Sequence, residues 1–149
     1  MLLNEMLTKS HIQVNVEAKD WEKAIDLGGD ILLQENLIEQ SYIEAVKRTK
    51  NELGPYIVIA PGIALSHARP ENGVNHTSMS LIRLKEPVAF GHEDNDPVSL
   101  VFTLATTDSQ SHLNALQQLM SVMTNKEDLS VLFTTNDVDE IVDIINKHS

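Results

Sequence analysis

The spacing of hydrophobic and polar positions changes along the chain, and each change predicts an element. "IQVNV" (residues 12–16) alternates as a short strand does. From Asp20, a candidate N-cap, "WEKAIDLGGDILLQE" places Trp21, Ile25, Leu27, Ile31 and Leu32 near helical spacing. Gly28 and Gly29 either weaken that helix or mark a close packing contact. "SYIE" (41–44) has the Ser-x-x-Glu capping-box pattern, so a second helix is predicted from there to a stop at Gly54-Pro55. "YIVIA" (56–60) is an unbroken apolar run rich in β-branched residues, the pattern of a central strand buried on both faces.

After the turn-rich stretch "PGIALSHARPENG" (61–73), "HTSMSLIRL" (76–84) and "VSLVFTLA" (98–105) predict two further strands. The polar segment "KEPVAFGHEDNDP" connects them. Beyond "TTDSQS" the period becomes helical: Leu113, Leu116, Leu119, Met120 and Met123 share a face, with His112 at its first turn. Two shorter helices are predicted to come next, capped by Asn125 and Asn136. The last carries Asp137, Asp139 and Glu140 early and Lys147 late, in accord with the helix dipole. With no repeat, linker or low-complexity segment, residues 1–149 read as one α/β domain in which helices precede and follow a cluster of strands.

Composition narrows the function. Hydrophobic residues make up 42% of 149, enough for a packed core and too many for a disordered chain. Eleven Lys+Arg against 22 Asp+Glu give a net charge of −11. Such a surface repels phosphate backbones and anionic lipid, so no nucleic-acid or membrane-surface partner is expected, and a protein with a basic face fits better. The absence of cysteine excludes disulfides, zinc–thiolate sites and cysteine nucleophiles. "MLLNEMLTKS" has no basic n-region and only a short apolar run, and no stretch approaches the roughly 20 apolar residues of a membrane span, so a cytoplasmic protein is expected.

Of six histidines, His11 and His148 lie near the termini, and His76 opens a strand as a partly exposed residue. His92, in "GHEDNDP", has acidic neighbours but lacks the central Gly and late Glu of a calcium loop, and reads as part of a solvated acidic turn. His67 differs, because it comes after a buried-type strand and begins a turn-rich loop, where a rigid base exposes reactive groups. Neutral imidazole is a nucleophile near pH 7 and accepts a phosphoryl group directly. Arg69, two positions on, presents a fork of donors suited to phosphate oxygens. These two residues alone do not separate a phosphoryl carrier from an ordinary loop histidine beside a surface arginine.

The longer pattern "PGIALSHARPENGV", a strand, then "EPVAFGHEDNDPVSLVFTLATTDSQSHLNAL" resembles the enzyme IIA component of the bacterial sugar phosphotransferase system, mannitol/fructose class, and within it the L-ascorbate-type branch. The resemblance implies a mixed central β-sheet flanked by helices. It implies that His67 takes phosphate from phospho-HPr on Nε2 and passes it to a IIB component, a cysteine carrier in ascorbate-type systems, working with a membrane IIC transporter. The position matching His112 supplies a second imidazole, and Arg69 falls where the family often has a basic or small residue. Ser66 departs from the proline usual before the active histidine. No cofactor or metal is implied, and no nucleotide-binding motif is present. The alternative is a regulatory protein of the same fold that signals its phosphorylation state by binding other proteins; a hydrolase using His67 and His112 ranks below both. Because partners must reach His67, a shallow apolar patch is expected around it, rimmed by Glu71, Glu93, Asp94 and Asp96.

Overall fold

A computed structural model describes all 149 residues. The helices are α1 (Leu3–Met6), α2 (Trp21–Leu33), α3 (Gln40–Leu53), α4 (Ser109–Thr124), α5 (Lys126–Thr134) and α6 (Val138–Lys147). The strands are β1 (Ile12–Val16), β2 (Val58–Ala60), β3 (Ile63–Ser66), β4 (Ser78–Val88) and β5 (Val98–Ala105). They form one mixed sheet in the order β1-β4-β5-β3-β2. β1 runs parallel to β4 and β3 parallel to β5, while the β2–β3 and β4–β5 pairs are antiparallel.

Alternation along β5 builds the two layers that cover the sheet. Leu100, Phe102 and Leu104 enter a cluster with residues of α1, α4, α5 and α6, whereas Val101 and Ala105 enter a second cluster with residues of α2 and α3. Both faces are dry, so "VSLVFTLA" is the near-continuous apolar run of a central strand. The expectation that 56–60 is central is therefore corrected. Only Val58–Ala60 is strand, it lies at the sheet edge, and Ile59 is 38% exposed. β3, four residues inside the stretch that reads as turns, slips between it and β5.

Helix ends obey local chemistry with two corrections. Asp20 and Asn125 cap as expected, accepting from the backbone N–H groups of Lys23 and Asp128. Gly54 ends α3 with φ +87°. The Ser41 capping box does not form: α3 starts one residue before Ser41, whose hydroxyl donates instead to the Asn72 carbonyl at 2.7 Å. The cap of α6 is Asp137 rather than Asn136, because the Asn136 side chain accepts from Arg83 Nη2 at 2.6 Å. On α4 the buried positions are Ala115, Leu119 and Val122, and the expected face members Leu113 and Met120 are half exposed.

Gly28 and Gly29 mark close packing. A Cβ at Gly28 would lie 2.8 Å from Thr103 Oγ1, and one at Gly29 would lie 2.6 Å from Ile43 Cγ1. α2 therefore seats against the sheet and against α3 through two missing side chains. Gly28→Ala gains helix propensity but overpacks against the hydroxyl of Thr103, a residue buried in the sheet, and a net loss of about 1–3 kcal/mol in urea unfolding is expected. Thr103→Ala in the same chain removes the obstructing oxygen and is expected to recover part of that loss.

Candidate functional site

Parallel pairing aligns Ser66 with Thr103, so the C-terminal ends of β3 and β5 lie side by side. His67 is the first residue beyond β3. Three residues beyond β5, Asp108 caps α4 by accepting from the Ser111 N–H at 2.7 Å, and this sets His112 on the first turn facing His67. The two imidazole centroids are 5.7 Å apart with the planes tilted by 47°. Residues 45 positions apart thus share one cleft of about 500 Å³, at the carboxyl ends of parallel strands where open α/β sheets place their ligand sites.

The His67 ring is oriented by the chain itself. Its Nδ1 lies 2.8 Å from the Leu65 carbonyl oxygen, which can only accept, so Nδ1 carries the proton and Nε2 keeps its lone pair. The Tyr56 ring stands edge-on to the imidazole, 5.4 Å between centroids at 73°, and its hydroxyl donates to the His67 carbonyl at 2.9 Å. Across the cleft, burial, and then the neighbouring His67, push the His112 imidazole below its ordinary value, so it is held neutral at pH 7. Arg69 lines the lip of the cleft, exposed and free of any ion pair. The arrangement offers a half-buried nucleophilic nitrogen, a neutral imidazole beside it, a guanidinium and the opening turn of a sixteen-residue helix, a setting suited to a phosphoryl group.

The three sequence-selected residues His67, His112 and Arg69 therefore meet in one place. The expected surroundings differ in part. The residues form a cleft in which polar side chains such as Thr49, Asn72, Thr106 and Ser109 alternate with the apolar surface of Leu53, Tyr56, Ala68 and Pro70. Of the expected acidic rim, only Glu71, in the helical turn Pro70–Asn72, is near. Glu93, Asp94 and Asp96 lie at the other end of the sheet, where the Asn95 carbonyl accepts from Gly62 N–H. The four residues of β3, about 13 Å of strand, separate them from His67. That acidic loop is self-bonded: the Asp96 carboxylate accepts from the N–H groups of Phe90, Gly91 and His92, and His92 Nδ1 accepts from Asp94 and Asn95. No group of three or more His, Asp or Glu side chains is disposed to hold a metal ion.

Other histidines found partners that sequence does not announce. His11 is buried, its Nδ1 between the Met6 and Met79 carbonyls and its Nε2 2.6 Å from Glu35. His148 Nε2 donates to Asp128 at 2.6 Å. His76 is exposed two residues before β4 rather than within it. Tyr56, Asp108 and Thr106 escaped the sequence reading; Asp108 had a signal, an Asp four residues before the candidate His112, in the usual place of an N-cap.

Known proteins share this architecture. The family model "Phosphoenolpyruvate-dependent sugar phosphotransferase system, EIIA 2" matches residues 5–148. The ascorbate-specific PTS system EIIA component of Escherichia coli K12 is 34% identical, over 98% of this chain and 96% of that protein. The mannitol-specific cryptic phosphotransferase enzyme IIA CmtB of Escherichia coli superposes with a TM-score of 0.89 at 39% identity, over 99% of each chain. Enzyme IIA of mannitol from Escherichia coli, solved in complex with phosphorylated enzyme IIB, shares the fold at a TM-score of 0.80 and 23% identity, over 93% of this chain and 95% of that one.

The His112 shift is open to measurement. Because its folded value lies below the unfolded one of about 6.5, the stability linked to it is present above that pH and declines as pH falls below it. In an NMR titration His112 is expected to titrate below about 6.5. In His67→Gln, which keeps the bulk and removes the second charge, its value is expected to rise but stay depressed, since burial is the larger cause.

Proposed function

The chain belongs to the phosphoenolpyruvate-dependent sugar phosphotransferase system EIIA 2 family, phosphotransferases that carry a phosphoryl group for sugar uptake on a histidine, and we propose that His67 is that histidine. The observation that carries the assignment is the Nδ1–H bond to the Leu65 carbonyl, which leaves Nε2 as the free nucleophile on the cleft side. The Nε2 lone pair forms the new N–P bond while the donor's bond to phosphorus breaks and its electron pair leaves with the donor. No proton has to move at His67: Nδ1 keeps its hydrogen, and the positive charge gained by the ring is stabilised by the Leu65 carbonyl. Onward transfer is the reverse, with an acceptor thiolate attacking phosphorus and the N–P pair returning to Nε2.

His112 and Arg69 act on the phosphoryl oxygens in this reading. A neutral His112 donates one hydrogen bond without adding a second full charge beside the phosphorylated ring. Arg69, unpaired at the lip, supplies the positive charge for the equatorial oxygens. Phospho-HPr is the donor, a IIB component with a cysteine the acceptor, and a membrane IIC protein the transporter they serve. L-ascorbate or a related sugar is the cargo, as the name of the 34% identical relative suggests. No helix of the chain is long and apolar enough to cross a membrane, which suits a cytoplasmic shuttle.

Incubation with phospho-HPr, followed by mass spectrometry at alkaline pH, is expected to place an acid-labile phosphate on His67 alone, and His67→Gln to take none. Phosphate on His112 or Ser66 would refute the assignment. His112→Ala is expected to accept phosphate yet pass it to IIB about 10²-fold more slowly, the scale of one lost transition-state donor. Phosphorylation without any transfer to IIB would favour the regulatory alternative.

A further inference from the structure

One peptide group in the molecule is held on both edges by tyrosine hydroxyls, and it is the one joining His67 to Ala68. Its carbonyl, that of His67, accepts from the Tyr56 hydroxyl at 2.9 Å. Its N–H, that of Ala68, donates to the Tyr42 hydroxyl at 2.9 Å. Tyr42 is 1% exposed and donates its own proton to the Leu104 carbonyl at 2.7 Å, which ties the loop to the end of β5. The two side chains come from different places, Tyr42 from the first turn of α3 and Tyr56 from the connection beyond that helix. They converge from both sides on two consecutive residues that otherwise lie in irregular chain.

We infer that Tyr42 and Tyr56 are positioning residues for His67, fixing the peptide after it so that the ring keeps its Nδ1–H bond to Leu65 and presents Nε2 to the cleft; the inference rests on the carrier role given to His67 above. The ring direction depends on the backbone at His67, and a loop peptide with both its donor and its acceptor engaged is held against rotation. The Leu65 bond fixes one side of the residue and the tyrosines fix the other, while the Tyr56 ring edge limits rotation of the imidazole itself. Left to itself, neutral histidine favours the proton on Nε2, the tautomer that cannot attack phosphorus through that nitrogen. The clamp therefore holds the ring in its less favoured, reactive form. Burial pushes the Tyr42 hydroxyl up to about 12 and raises that of Tyr56, so both remain donors throughout the range in which imidazole is neutral.

The test uses Tyr56→Phe, which keeps the ring and removes one oxygen at a partly exposed position, and Tyr42→Phe beside it. In the unphosphorylated protein at pH 8, ¹⁵N-histidine NMR is expected to show His67 as the Nδ1–H tautomer in the parent and to move toward the Nε2–H pattern in each variant. In single-turnover transfer from phospho-HPr, the saturated rate of Tyr56→Phe is expected to fall about tenfold, with the half-saturating donor concentration changed less than about twofold, since a lost orienting bond slows the chemistry and not the encounter. Ile145→Val, in the core on the opposite face of the sheet, is a control that loosens the fold and is expected to leave both readouts unchanged. An unchanged tautomer, or an unchanged saturated rate, in Tyr56→Phe overturns the inference. Should Tyr42→Phe fail to fold, Tyr56→Phe decides alone. Failure of the parent chain to accept phosphate on His67 would sink the carrier reading, while the tautomer measurement would still decide whether the tyrosines set the ring.

Discussion

The parallel register of β3 against β5 governs where chemistry can occur in this molecule. Two parallel strands end at the same edge, so the loop leaving β3 meets the segment leaving β5. The first of these begins with His67, and the second leads into the capped start of α4 with His112. Had the pair been antiparallel, the imidazoles would stand at opposite ends of the sheet. The same register aligns Ser66 with Thr103 beneath Gly28, so the seat of α2, the centre of the sheet and the base of the histidine loop depend on a common set of contacts.

Beneath the loop, the residue before His67 is buried without a polar partner. The hydroxyls of Ser66 and Thr103 make no hydrogen bond, and the close seat of α2 at Gly28 leaves no room for that helix to carry a side chain there. Rigidity at His67 therefore does not come from the Ser66 hydroxyl. It comes from the strand behind it and from the tyrosines in front. A family-usual proline would restrict this backbone through its ring; here hydrogen bonds to the His67–Ala68 peptide serve the same end at a different point.

The electrostatics of the chain are local rather than global. A net charge of −11 does not concentrate at the cleft. The densest acidic segment folds its carboxylate onto its own backbone at the far end of the sheet, and the cleft combines Arg69, two imidazoles and a helix N-terminus with the single carboxylate of Asp108. Asp108 is itself held ionised, below its usual range, by the N–H and hydroxyl of Ser111 that it caps.

The amino-acid sequence by itself determined the local facts: which long runs are apolar enough to be strands, where Asp20, Asn125 and Gly54 start and stop helices, and that His67, with Arg69 close behind, lies at a turn-rich loop after an apolar run. Periodicity and capping act within a few residues, so they can be read from a few residues. Tertiary structure alone decided the features that depend on pairing between distant segments. "YIVIA" became an edge strand because β3, too short to announce itself, took the place beside β5. Ser41 and Asn136 gave up capping because Asn72 and Arg83 offered them better-placed partners. Glu93, Asp94 and Asp96 fell away from the site because the β4–β5 connection lies at the opposite edge, and Tyr42 and Tyr56 reached His67 because α3 packs over the strand that carries it. Sheet order, hydroxyl partners and charge placement are set by which surfaces meet, and no window of sequence contains both.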